Sequence, residues 1–199
     1  MVEKIIVGAR ELFMQFGIRS VSMDDIARHL SMSKKTIYQH FKDKDEIVNE
    51  GTRSHLELQR AQFGDIIGKA SNAIEELHLL SKCVRQEFSQ LNPSLLFDLK
   101  KFHPEAYEQY EQFRNKDIYN DIIDNLNRGI MEGYFRPEID KEVLAKLRLE
   151  EIQLSFDGSV FPRDQFDFVN VQIQMFQHFV YGIVTQEGKE LYENYQREN

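Results

Sequence analysis

The sequence contains no tryptophan, one cysteine and four prolines among 199 residues. The single cysteine, Cys83, cannot close an intramolecular disulfide, and no nearby Cys or His lies at zinc-site spacing, so we expect a cytoplasmic protein. Long apolar runs are missing too, and Glu3, Arg10 and Glu11 interrupt the N-terminal segment. We therefore expect neither a signal peptide nor a membrane anchor.

Alternating runs of Val, Ile and Thr are also scarce, whereas apolar residues recur at helical spacing along nearly the whole chain. This periodicity predicts an all-α fold. Candidate caps mark several helix starts, and Gly17 marks the end of the first helix. The predicted helices cover residues 3–16, 22–30 with Ser22 as cap, 33–41 with Ser33 as cap, 43 to about 67 with an Asp43 and Glu46 capping box, 72–91, 93–102, 104–132, 140–156, 164–183 and 185–195.

Charge is distributed unevenly in this acidic protein, whose net charge is −8. Residues 1–45 carry eight Lys or Arg against six Asp or Glu, a net charge of +2. The remaining residues carry 17 Lys or Arg against 27 Asp or Glu, a net charge of −10. A basic N-terminal region on an acidic remainder indicates that only this region approaches a polyanion.

Residues 24–41 have the length of a DNA-binding helix-turn-helix, whose second helix enters the major groove. Once Ile37 and Phe41 face the core, the remaining side chains of that helix are hydrogen-bonding groups. Lys35, Thr36 and Gln39 suit base edges, since an amide can bind adenine and an ammonium can bind guanine. Contacts to phosphate groups are expected from Tyr38, His40, Lys44 and the caps Ser22 and Ser33.

The segment "LFMQFGIRSVSMDDIARHLSMSKKTIYQHFKDKDEIV" resembles the DNA-binding domain of the tetracycline-repressor (TetR) family of bacterial regulators. The resemblance covers residues 5–50 and is carried by the FG, S-x-x-D-I-A, S-x-x-T-I-Y-x-H-F and K-D-K elements. It implies a DNA-binding domain at 1–46, with its motif at about 24–43, and a larger helical ligand-binding and dimerisation domain at 47–199. It assigns Lys34, Lys35, Thr36, Tyr38, Gln39 and His40 to the recognition helix, and Lys44 to a phosphate contact.

Two residues depart from the pattern of this family. Ser31 stands where the family usually has glycine, so strain or a small shift in the turn is expected. Lys35 stands where a small residue is common, which adds charge to the groove-facing surface. The DNA sequence that is recognised is expected to differ accordingly.

The resemblance further implies a homodimeric regulator, expected to be a repressor, that binds a palindromic operator and is released by a small apolar or aromatic effector. Residues 164–183 carry two apolar stripes, so dimerisation is expected through 140–156 and 164–183. The effector site is expected between helix four and the helices at 72–91 and 104–132, lined mainly by aromatic residues. Its predicted members are Phe63, Phe88, Phe97, Phe102, His103, Tyr107, Tyr110, Phe113 and Arg114, each of which is also a reasonable core residue.

Other functions remain open at this point. A ligand-independent DNA-binding regulator or an activator fits the same motif. A helical enzyme or carrier needs a reactive cluster, and the Glu75-x-x-His78 pair lacks the second such pair of a diiron bundle. We therefore expect neither an enzyme, a metal nor a cofactor. The effector, the operator and the regulated genes do not follow from the sequence.

Overall fold

The computed structural model describes residues 1–197, and these residues form eleven α-helices. Within this range, extended pairing is limited to one antiparallel bridge between Phe135 and Val184. The all-α prediction is therefore confirmed. The helices are α1 (Val2–Phe16), α2 (Met23–His29), α3 (Lys34–Tyr38), α4 (Lys44–Lys69), α5 (Ala73–Gln90), α6 (Leu95–Phe102), α7 (Pro104–Gln112), α8 (Tyr119–Met131), α9 (Lys141–Ser155), α10 (Phe168–Ile183) and α11 (Gln186–Arg197).

The chain divides into two compact units. The first unit contains Met1–Arg60 and Gln90–Phe113, and the second contains Ala61–Ser89 and the chain from Arg114 onward. The first unit thus joins the helix-turn-helix region to α6 and α7. The sequence-based boundary at residue 46 remains a prediction.

The first unit is built around one apolar core contributed by all four N-terminal helices. Ile5, Ile26, Ile37 and Ile47 are completely buried in it, and Leu99 of α6 packs against the same cluster. Helices as short as α2 and α3 are stable only through such packing, because few of their backbone hydrogen bonds are internal.

Side-chain caps define the starts of the short helices as the sequence predicts. Ser22 and Asp25 form a complete capping box at α2, and Ser33 accepts a hydrogen bond from the backbone of Thr36 at α3. At α4, Asp43 accepts from the amide of Glu46 at 3.0 Å. The Glu46 carboxylate reaches the amide of Lys42 at 2.6 Å, one residue before the cap.

The turn between α2 and α3 is a Schellman motif. The amide of Met32 donates to Ala27 O at 2.9 Å, and the amide of Ser31 donates to Arg28 O at 3.1 Å. This motif places Ser31 in the left-handed region, with φ of +53°. Glycine adopts this conformation without a steric penalty, so the strain expected at Ser31 is consistent with its backbone angle and stays a prediction.

The second unit has its own core, in which α8 packs on α9 and α9 on α10.

The helix predicted over 104–132 is interrupted: α7 ends at Gln112, a π-helical segment covers Phe113–Ile118, and α8 follows. The consecutive residues Phe113 and Arg114 are both buried, at 3% and 7% exposure. An extra residue in the turn shifts the buried stripe by one position, which a regular amphipathic pattern does not reveal.

Candidate nucleic-acid interface

Helix α3, the predicted recognition helix, ends at Tyr38, so Gln39 and His40 of the helix predicted over 33–41 lie in the turn that follows it. Ile37 and Phe41 are 0% and 3% exposed, which confirms that they face the core. Thr36 is half-buried. The side chains exposed to solvent are Lys34, Lys35, Tyr38, Gln39 and His40. One short segment thus presents two ammonium groups, a phenol, an amide and an imidazole on a single surface.

Each of the two capping serines binds the start of its own helix, Ser22 at α2 and Ser33 at α3. Ser22 Oγ donates to Asp25 Oδ2 at 2.6 Å and accepts from the Asp25 amide at 3.2 Å. Ser33 Oγ lies 2.8 Å from Thr36 Oγ1. Both serine residues are exposed, but their hydroxyl groups already bind their own helices. Their role as phosphate contacts stays a prediction.

Part of the positive charge on this surface is paired within the protein. Lys34 Nζ donates to Asp24 Oδ2 at 2.9 Å, and this hydrogen bond raises the pKa of the lysine. Both side chains are substantially exposed, so the pair is weak and a phosphate group can compete with Asp24 for the ammonium.

Lys44 lies apart from this exposed face. It is half-buried, and its Nζ donates to the carbonyl oxygen of Ile18 at 2.6 Å. Burial lowers the pKa of Lys44, while the nearby carboxylates of Asp98 and Asp45 act in the opposite direction. A phosphate contact by Lys44 stays a prediction, since this ammonium already has a partner.

The predicted effector residues fall in both units. In the first unit, Phe97 and Phe102 are 58% and 40% exposed, and the Arg60 guanidinium lies 5.3 Å from the buried Phe113 ring. His103, Tyr107 and Tyr110 also belong to the first unit, and His103 Nδ1 lies 2.5 Å from an Asp45 carboxylate oxygen. Phe63, Phe88 and Arg114 belong to the second unit.

The second unit holds an aromatic cluster that the sequence analysis missed. Phe88 lies 5.8 Å from Phe156 and 5.4 Å from Phe168, measured between ring centroids, and the Arg163 guanidinium lies 4.8 Å from the Phe168 ring. Beside it, the Gln172 amide nitrogen donates to Ser155 Oγ. The three rings are far apart in the sequence, and only the packing of α5, α9 and α10 brings them together.

No helix among residues 1–197 combines the length and the apolar character needed to cross a membrane. The same residues contain no group of three or more His, Cys, Asp or Glu side chains arranged to hold a metal ion.

Comparison with known proteins agrees with this arrangement. The family model for bacterial regulatory proteins of the tetR family matches residues 5–50. The repressor KstR2 of Mycobacterium tuberculosis is 28% identical over 139 residues, which cover 68% of this chain and 70% of KstR2.

Two solved structures share the fold over nearly their whole length. A transcriptional regulator from Saccharomonospora viridis in complex with choline has a TM-score of 0.75 at 21% identity, covering 93% of this chain and 98% of that one. FadR from Bacillus subtilis in complex with stearoyl-CoA has a TM-score of 0.64 at 17% identity, covering 92% and 100%. Both of these proteins are transcriptional regulators. The match at residues 5–50 identifies this region as a helix-turn-helix domain of the tetR family, and the two solved structures show that the chain shares their all-helical fold.

Proposed function

We propose that this regulator is a repressor that binds a palindromic operator as a homodimer and is released by a small effector. The observation that carries the proposal is the surface of residues 34–40, where Lys34, Lys35, Tyr38, Gln39 and His40 are exposed while Ile37 and Phe41 anchor the segment in the core. A rigid helix that presents polar side chains on one face is suited to the major groove.

The exposed side chains have different roles in this proposal. Lys35, Thr36 and Gln39 contact base edges, and Gln39 supplies the donor and acceptor pair that matches adenine. Tyr38 and His40 contact phosphate groups, together with the capping serines, and fix the register of the helix on the duplex. The net charge of −10 outside residues 1–45 repels the phosphate backbone, so DNA approaches this surface only.

Dimerisation is proposed through α9 and α10. On α9, Val143, Leu147 and Leu154 are 60%, 47% and 40% exposed and share one helical face. Of the two stripes on α10, the one containing Phe168, Val171, Phe179 and Ile183 is buried. Val169 and Ile173 of the other stripe remain half-exposed. A second copy that covers these apolar surfaces also supplies the second recognition helix, about 34 to 36 Å from the first as a palindrome requires.

The effector site is proposed in the second unit, around Phe88, Phe156 and Phe168. Gln172 is 4% exposed, and its Oε1 has no hydrogen-bond partner within the described chain. Aromatic rings beside a buried acceptor favour an apolar or aromatic effector that carries one hydrogen-bond donor. Two proteins of this fold are known in complex with a small molecule, one with choline and one with stearoyl-CoA, which supports a small-molecule effector for this chain. An operator on the chromosome also places the protein in the cytoplasm.

Selection of bound duplexes from a random DNA library tests the proposal. We expect a palindromic sequence to be enriched. In fluorescence anisotropy, Gln39→Ala should weaken binding to the selected duplex by about 1–3 kcal/mol and relax base preference at one position. Lys35→Ala should also weaken this binding. Its matched control is Lys82→Ala, which removes an exposed lysine from α5 and should leave affinity unchanged.

The effector is tested in the same assay by adding candidate apolar ligands or a cell extract. The proposed site is supported if a ligand releases the duplex from the wild type and no longer releases it from the Phe88→Ala variant. A duplex that is bound equally under all these conditions indicates a ligand-independent regulator. Enrichment of no sequence at all contradicts the proposed DNA-binding function.

A further inference from the structure

One peptide group between α1 and α2 is held from both sides by oppositely charged side chains. The carbonyl oxygen of Ile18 accepts a hydrogen bond from Lys44 Nζ at 2.6 Å, and the amide of Arg19 donates to Asp98 Oδ2 at 3.0 Å. These two atoms belong to the same peptide bond. Lys44 is the first residue of α4 and Asp98 lies on α6, so one peptide joins three parts of the first unit.

Both charged groups are removed from water. Asp98 is 5% exposed, and Lys44 is half-buried with a pKa lowered by desolvation. A buried charge is stable only with partners, and here the carbonyl and the amide supply them. The carboxylate and the ammonium also polarise the peptide in the same sense, so the two hydrogen bonds reinforce each other.

The surrounding backbone is shaped for this close approach. Gly17 has φ of +80°, and a Cβ atom there would lie 2.8 Å from Ser94 Oγ and 3.4 Å from Asp98 Oδ2. The amide of Asn92 donates to Met14 O at 2.6 Å. The segment that leads into α6 and α6 itself therefore lie directly against the C-terminal end of α1.

The held peptide and the lysine that binds it lie on opposite sides of the helix-turn-helix in the sequence. Ile18 and Arg19 precede α2, and Lys44 follows the recognition helix α3. We propose that Lys44 and Asp98 are positioning residues that clamp the Ile18–Arg19 peptide and thereby fix α2 and α3 relative to α4 and α6. In this role Lys44 acts within the protein and not on a phosphate. The inference rests on the proposed DNA binding only for its affinity measurement.

Amide hydrogen exchange tests the clamp without DNA. The Arg19 amide should be protected in the wild type and exchange about tenfold faster in Lys44→Met, which keeps the aliphatic stem. Asp98→Ala should have the same effect. Asp98→Asn, which keeps an acceptor oxygen, should restore part of the protection. An Arg19 amide that exchanges in the wild type as fast as one in an open loop overturns the clamp, even if Lys44→Met fails to fold.

The salt dependence of duplex binding separates the clamp from a phosphate contact. Lys44→Met and Asp98→Ala should each weaken binding about tenfold with an unchanged slope of log K against log salt, and the double variant should lose little more. Lys35→Ala, on the exposed face, should lower that slope by about one. If Lys44→Met lowers the slope by about one and leaves Arg19 exchange unchanged, the clamp is wrong. If Arg19 protection depends on Lys44 but the wild type binds no duplex, the clamp holds and the proposed function fails.

Discussion

Replacing Ser31 with glycine should stabilise the protein. Ser31 occupies the C′ position of the Schellman motif after α2, with φ of +53°, and is the single non-glycine residue among residues 1–197 with a positive φ. Its Cβ atom is crowded in this conformation. Two backbone hydrogen bonds, from Ser31 to Arg28 O and from Met32 to Ala27 O, hold the residue there.

The size of the effect follows from two opposing contributions. The left-handed conformation costs a residue with a Cβ atom about 1–2 kcal/mol. Glycine loses more conformational entropy on folding, which offsets about 0.5–1 kcal/mol of that gain. The net stabilisation therefore lies between about 0 and 1.5 kcal/mol, with a central value of about 0.75 kcal/mol. For a chain of this length the central value corresponds to a rise in Tm of about 1–4 °C.

Thermal unfolding followed by circular dichroism at 222 nm measures this difference. The matched control is Ser31→Ala, which also removes the hydroxyl group but keeps the Cβ atom. We expect Ser31→Gly to unfold above the wild type and Ser31→Ala to unfold at or below it. Equal Tm values for the two variants would refute the argument, because the Cβ atom would then carry no penalty.

Three further predictions concern other parts of the chain. Gly188→Ala should destabilise the protein by about 1–3 kcal/mol in urea unfolding, because its Cβ would clash with the Tyr134 carbonyl, whereas Gly182→Ala, with no atom nearby, should not. Asp25→Asn should lower Tm at pH 7, and this difference should vanish as the pH falls below 3.8. Hydrogen bonds from Ser22 lower the pKa of the Asp25 carboxyl group in the folded state below its ordinary value of 3.8. The ionised carboxylate therefore stabilises the folded protein above pH 3.8, and this stabilisation is lost when the group is protonated at lower pH. Leu147→Glu should shift sedimentation velocity from dimer to monomer, while an equal charge added at an exposed position of α11 should not.

Local signals in the sequence were sufficient for the helix-turn-helix. Its caps, short helices and inward residues follow from side chains within about four positions of one another, and the structure places Ser22, Ser33, Ile37 and Phe41 accordingly. The left-handed turn at Ser31 was also predictable, because the conformation at C′ is dictated by the motif itself.

Contacts between residues distant in the sequence were not predictable in the same way. The Asp98 carboxylate binds a peptide 79 positions earlier, and no periodicity links them. The π-helical segment was not predicted either, although Phe113–Ile118 is apolar only at its two ends, which lie five positions apart as a π-helical turn allows. The phosphate contact predicted for Lys44 rests on its position after α3 in the sequence. The hydrogen bond that Lys44 donates to the carbonyl oxygen of Ile18 depends on tertiary packing and does not follow from that position.

The proposed function depends on recognition of a DNA sequence by the exposed side chains of residues 34–40. The most direct test compares the affinity for the selected duplex with the affinity for a scrambled duplex of equal length, in the wild type and in Gln39→Ala. We predict that the wild type prefers the selected duplex by about a thousandfold or more. Gln39→Ala should lower this ratio by about tenfold or more and leave binding to the scrambled duplex unchanged. An unchanged ratio in Gln39→Ala would contradict the account.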